Sequence, residues 1–164
     1  MQHLVRSVAA LLLAIALAAC GDSSAASVSH PSPSPPTPIG PLVVTTDGCS
    51  YQGPGRIGAG LAEVHLVDQS KARFQVDVWQ LDASHTYAEL DAYIKEEERR
   101  VKAGEPQQGY PSFATLTDQL SVSAAGDVKR QISVAAGTYG FVCFPTDAKT
   151  AAGIWLAGPL VVAK

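Results

Sequence analysis

From Leu61 onward, apolar and polar side chains alternate with a period of two over most of the chain, as they do in strands that bury one face. In Leu61–Val67, Ala62, Val64 and Leu66 fall on one face and Glu63 and His65 on the other. Arg73–Leu81 repeats the pattern, with Phe74, Val76 and Val78 set against Arg73, Gln75 and Asp77; Trp79 falls on the polar side, exposed or covered by another element. The intervening Asp68-Gln69-Ser70-Lys71 reads as a turn. Leu42–Thr46 is an earlier β-branched run ended by Asp47-Gly48, and later runs centre on Leu120 and Val122, on Val128, Ile132 and Val134, on Gly137–Pro145 and on Gly158–Val162. Strands about 8–12 residues apart with turn residues between them predict an all-β, antiparallel sandwich.

One stretch breaks the period. Thr86 with Glu89 three residues on forms a capping box, and Tyr87, Leu90, Ile94 and Val101 then recur at helical spacing with Tyr93 beside them. The pattern predicts an inserted helix over about 86–103, ended by Gly104 with Pro106 beyond. Glu96 and Arg100 are spaced to pair on its outer side, and Glu96-Glu97-Glu98-Arg99-Arg100 reads as a solvated face. Gln107–Thr117 is expected to be a loop with Tyr110 and Phe113 as plugs.

The first part of the chain follows different rules. Arg6 precedes an unbroken apolar run, Val8–Ala18, too short for a bilayer-spanning helix of about 20 residues, and the run ends in Leu17-Ala18-Ala19-Cys20. These residues resemble the signal peptide and lipobox of bacterial lipoproteins. The resemblance implies a leader over 1–19, removed on maturation, and diacylglycerol with N-acylation on Cys20, so that membrane contact runs through lipid on that residue. Residues 20–41 then carry Pro31, Pro33, Pro35, Pro36, Pro38 and Pro41 and read as a tether, with His30 a solvated residue within it. The globular domain is expected over 42–164, a size that supports one real core. With Cys20 taken by lipid, Cys49 and Cys143 remain as a pair in an oxidising compartment, where a disulfide between them is expected. The formal net charge of −3 becomes one unit more negative when Arg6 leaves, and no basic stretch suggests nucleic acid.

Gly137-Thr138-Tyr139-Gly140-Phe141-Val142-Cys143-Phe144-Pro145, answered by Gly158-Pro159-Leu160-Val161-Val162, resembles the last hairpin of a cupredoxin. Tyr51, Pro54, Ile57 and Gly60 resemble an order common in such domains, as does a Thr-x-x-Glu-Leu helix start between sandwich strands. The resemblance implies a cupredoxin-like Greek-key sandwich, with an immunoglobulin-like one as the rival, and it places Cys143 where copper relatives hold the metal and Cys49 close by. The chemistry departs from that family. A type 1 site uses a thiolate and two imidazoles, usually with a methionine; Arg73 stands where the first histidine is implied, neither His nor Met follows Cys143, and the single Met is Met1. No resident cofactor is expected, and a copper site with unusual ligands, Cys143 with His65 and His85, is the alternative.

No carboxylate, serine or histidine stands in a catalytic motif, so no catalytic residue and no enzyme are expected. Ile154, Trp155 and Leu156, after Cys143, form a candidate partner patch, or Trp155 fills the open end of the sandwich. The expectation is a lipid-anchored binding or structural module of the bacterial cell envelope, facing outside the cytoplasm, its partner an unidentified protein or small ligand.

Overall fold

The structure, a computed structural model, describes residues 34–147 and 153–164. The leader, Cys20 and most of the tether lie outside the described residues. The chain runs β1 (Thr37–Thr45), β2 (Gly48–Tyr51), β3 (Arg56–Gly58), β4 (Gly60–Asp68), β5 (Phe74–Leu81), α1 (Tyr87–Ala103), β6 (Ala114–Val122), β7 (Asp127–Val134), β8 (Gly137–Pro145) and β9 (Trp155–Ala163). The strands form two sheets, ordered β2-β1-β4-β7 and β3-β9-β8-β5-β6. This is the mostly-β, two-sheet sandwich with one inserted helix that the strand spacing and the cupredoxin resemblance imply. It is not wholly antiparallel: β1 runs parallel to β4, and β3 to β9. The first strand also begins at Thr37, ahead of Leu42, because Thr37, Pro38 and Ile39 already pair with Ala62, Glu63 and Val64.

The core between the sheets is built by the predicted alternation. Val64 and Leu66 of β4 share one core cluster with Phe74, Val76 and Val78 of β5, and each of these side chains is nearly or fully excluded from solvent. Burial of one such side chain contributes about 1.5–3 kcal/mol. Cys49 and Cys143 form a disulfide, which ties β2 of one sheet to β8 of the other.

The helix forms where expected. Thr86 accepts from the Glu89 amide while the Glu89 carboxylate accepts from the Thr86 amide, and Gly104 closes the helix in the left-handed conformation that a side chain would strain. Its stability comes chiefly from packing, because burying Leu90 and Ile94 outweighs the few tenths of a kcal/mol that propensity offers per residue. Both sit in a second apolar cluster with Trp79, Leu81 and Val142, on the face of the five-stranded sheet that points away from the sandwich core. Close approach depends on Gly140: a Cβ there would lie 2.7 Å from a Leu90 methyl and 2.9 Å from one of Leu156. Strands β5 and β8 of the five-stranded sheet are therefore covered on both faces.

Two stability predictions follow from these elements. The disulfide closes a loop with a sequence separation of 94, so replacing Cys49 and Cys143 together with alanine is expected to lower the unfolding free energy by about 2–5 kcal/mol, read from urea titrations at matched m-values. Hydrogen bonds from the Thr86 backbone, then its side chain, hold the Glu89 carboxyl below its ordinary value of 4.5. That contribution is complete above pH 4.5 and is lost as pH falls through the lower folded value. The stability gap between wild type and Glu89→Gln should close over that acid range; a constant gap would show that the carboxylate's charge contributes nothing.

Candidate functional site

Alternation along β5 sends Phe74, Val76 and Val78 into the sandwich and places Asp77 and Trp79 on the opposite face. A polar residue in that register would ordinarily meet water. Here α1 and the loop 104–113 cover it, and Asp77 is 1% exposed and Trp79 5%. Glu97 approaches the same space from the helix and is 4% exposed, so the charged run 96–100 is not a uniformly solvated face. Glu97 falls in the stripe set by Leu90, Ile94 and Val101, the side of the helix that meets the sheet. That stripe is the signal by which Glu97 could have been found; Asp77 had none, because its exposure depended on where the helix would lie.

Between these elements lies a cleft of about 400 Å³ lined by Asp77, Trp79, Tyr93, Glu97, Tyr110 and Phe144 among others. Asp77 Oδ1 accepts from Gln75 Nε2 at 2.7 Å and Gln119 Nε2 at 3.1 Å, and Oδ2 accepts from the Tyr110 hydroxyl at 3.4 Å. Every donor to it is neutral. Glu97 takes the Gln108 amide on both oxygens, at 3.0 and 3.2 Å, with Arg100 Nε at 4.0 Å. The Trp79 indole N–H is buried with no hydrogen-bond partner among the described residues, and the Tyr110 ring packs edge-on to Trp79 at 5.4 Å.

The loop 104–113 folds back as the rim of the cleft. Arg99 holds Glu105 through two hydrogen bonds, and the Tyr93 hydroxyl donates to the Gly109 carbonyl at 2.6 Å. Burial, and then the Asp77 charge, raise the Tyr110 phenol above its ordinary value; burial, and then Glu97, do the same to Tyr93. Of the two expected plugs, Phe113 packs into the helix-side cluster, whereas Tyr110 is 60% exposed and lies across Trp79 as a cover.

The residues proposed for copper are dispersed into separate local partnerships. Cys143 is bonded to Cys49 in the core. His65 lies on the outer face of β4, its Nε2 2.8 Å from Asp127 Oδ1. His85 precedes the helix, 2.6 Å from Asp82 Oδ1 and stacked on Phe113; that hydrogen bond raises the imidazole above its ordinary value and lowers the carboxyl. Among the described residues no three His, Cys, Asp or Glu side chains group as a metal site. Arg73 is exposed, and its carbonyl accepts from the Thr146 amide.

The expected patch of Ile154, Trp155 and Leu156 is divided by strand alternation. Trp155 pairs with Cys143 across β8 and β9, packs on the sandwich core and stacks on Phe74 at 5.9 Å. Ile154 and Leu156 join the helix-side cluster, and Ile154 reaches the cleft. All three are half-buried, on two faces of the sheet rather than one.

No protein-family model matches this chain, and no curated protein matches it. Solved structures do. A dithionite-reduced auracyanin from the photosynthetic bacterium Roseiflexus castenholzii is 15% identical with a TM-score of 0.41, over 81% of this chain and 100% of that one. Auracyanin A, a blue copper protein of Chloroflexus aurantiacus, is 17% identical with a TM-score of 0.43, over 79% and 100%. An azurin from Methylomonas sp. strain J is 6% identical with a TM-score of 0.37, over 78% and 97%.

Proposed function

We propose that this protein is a copper-free binding module, held outside the cytoplasm by lipid on Cys20, and that the cleft beside α1 takes its ligand. The observation that carries the reading is the cleft itself, a space of about 400 Å³ between a helix and a sheet with Asp77, Glu97 and the Trp79 N–H buried along it. Ligand sites are commonly concave, mostly apolar and furnished with a few fixed polar groups. Supporting the copper-free part, the disulfide leaves Cys143 no thiolate to offer a metal. A core disulfide also suits an oxidising compartment, in keeping with the leader and the lipobox. Binding is favoured over catalysis because both carboxylates accept from amide donors, which fix charge in place without activating a nucleophile.

Two experiments test the parts separately. The full chain produced in a bacterium should fractionate with membranes and carry a lipid mass on Cys20, and Cys20→Ala should move it to the soluble fraction; a Cys20→Ala chain that stays with membranes ends the anchor reading. Ligand-observed NMR with a mixture of small amines, alcohols, carboxylic acids and aromatics should show binding that Val101→Trp abolishes, because Val101 lines the cleft from the helix. Binding left intact by Val101→Trp, in a variant that keeps the wild-type circular dichroism, would remove the cleft from the account.

A further inference from the structure

We propose that the cleft binds a small organic cation, its ammonium group held against the Asp77 carboxylate and its carbon skeleton against Trp79, Tyr110 and Phe144. The inference rests on reading the cleft as the binding site and names the chemistry that site accepts.

Charge decides the sign of the ligand. Among the described residues the lining carries two carboxylates, Asp77 and Glu97, and no Lys, Arg or His. Arg100 stands 4.0 Å from Glu97 and is shared with Glu96 at 3.3 Å, so Glu97 has part of a counter-charge as well as two amide contacts. Asp77 has nothing comparable: at 1% exposure its partners are two Gln amides and a phenol, and no Lys, Arg or His among the described residues forms an ion pair with it. Buried carboxylates are ordinarily paired with a cation or a metal. One positive charge is the missing complement.

The walls decide its kind. A hard metal ion draws on six or more oxygen ligands, and the described residues hold no group of three metal-ligating side chains. The cleft supplies aromatic surface instead, from Trp79, Tyr93, Tyr110 and Phe144. Aromatic faces attract ammonium and alkylammonium groups through the ring quadrupole, by about 0.5–2 kcal/mol each according to desolvation. About 400 Å³ suits a compact molecule rather than a peptide.

A second feature points to a ligand independently of the acidic pair. Trp79 lines the cleft, is 5% exposed, and its indole N–H donates to no group among the described residues. An indole N–H is a donor only, and leaving it unmade in the interior costs about 1–3 kcal/mol. Tyr110, 60% exposed, packs its ring against Trp79 at 5.4 Å between centroids and is also the group that touches Asp77 Oδ2. A cation that takes the place of the Tyr110 hydroxyl at Asp77 lies beside Trp79, and a hydroxyl or carbonyl oxygen on the same molecule can satisfy the indole N–H.

The test is isothermal titration of the full chain, in a neutral detergent, with choline and with its uncharged carbon isostere 3,3-dimethyl-1-butanol. Choline should bind saturably, and the isostere about tenfold or more weakly, the factor that corresponds to one lost interaction of about 1.4 kcal/mol. Asp77→Asn should weaken choline by at least the same factor and leave the isostere unchanged. Should Asp77→Asn fail to fold, the comparison of the two probes on the wild type still decides. Equal binding of both probes, abolished by Val101→Trp, would overturn the cation and leave the cleft as a site for neutral ligands. No saturable choline binding in the millimolar range would also overturn the cation, and the NMR mixture then decides whether the cleft binds anything. Calcium chloride in place of choline, giving tighter saturable binding, would overturn the organic ligand in favour of a metal.

Discussion

The docking of α1 onto the outer face of the five-stranded sheet is the constraint on which the rest of this molecule depends. Without it, β5 and β8 would be ordinary half-buried strands, with Asp77 and Trp79 in water. Gly140 permits the contact, since a Cβ there would meet Leu90 and Leu156 inside van der Waals distance. The capping box at Thr86 and the left-handed Gly104 set where the helix starts and stops, and hence where the loop 104–113 turns back over the sheet. One glycine and two caps convert a two-layer sandwich into a sandwich with a covered outer face. The cleft is the space that this third layer does not fill.

At the end where the cupredoxin resemblance implies a metal, the same sheet is closed by other means. The Cys49–Cys143 bond joins the two sheets, and Trp155, paired with Cys143 across the hairpin, lies against Phe74. Covalent and apolar contacts thus close this end of the two sheets. Of the histidines among the described residues, His65 pairs with Asp127 on the far face of the other sheet and His85 with Asp82 before the helix.

How much of this was legible depends on whether a feature is local. Strand alternation in β4 and β5, the Thr86 capping box and the turn signals are properties of neighbouring residues, and they led to the right elements. The alternation even placed Trp79 on the correct face of β5. What it could not supply was the fate of that face, because burial of Asp77 is decided by a helix ten residues and more away in sequence. Thr37 was missed as the strand start because Pro38 and Pro41 suggested a tether, while pairing with β4 is a long-range event. Glu97 was partly legible: it lies in register with Leu90, Ile94 and Val101, but its charged neighbours on both sides concealed the stripe. The patch at Ile154, Trp155 and Leu156 shows the opposite error, since β9 begins at Trp155 and its adjacent residues Trp155 and Leu156 necessarily point to opposite faces.

The polar groups at the cleft are also the least economical choice for stability alone. Asp77 sits between Val76 and Val78 in a strand buried on both sides, where a third aliphatic side chain would remove apolar area from water without desolvating an ion. Removing a carboxylate from water costs several kcal/mol even after relaxation, and neutral amide donors recover only part of it. Two glutamine side chains, Gln75 and Gln119, are committed to holding that one carboxylate. An unpaired indole N–H beside it adds to the same deficit. Buried polar groups that lower stability and yet are held in fixed geometry are features of sites rather than of cores. Asp77 and the Trp79 N–H thus lower the stability of the sheet at the cleft, and the proposed ligand is what would offset that cost.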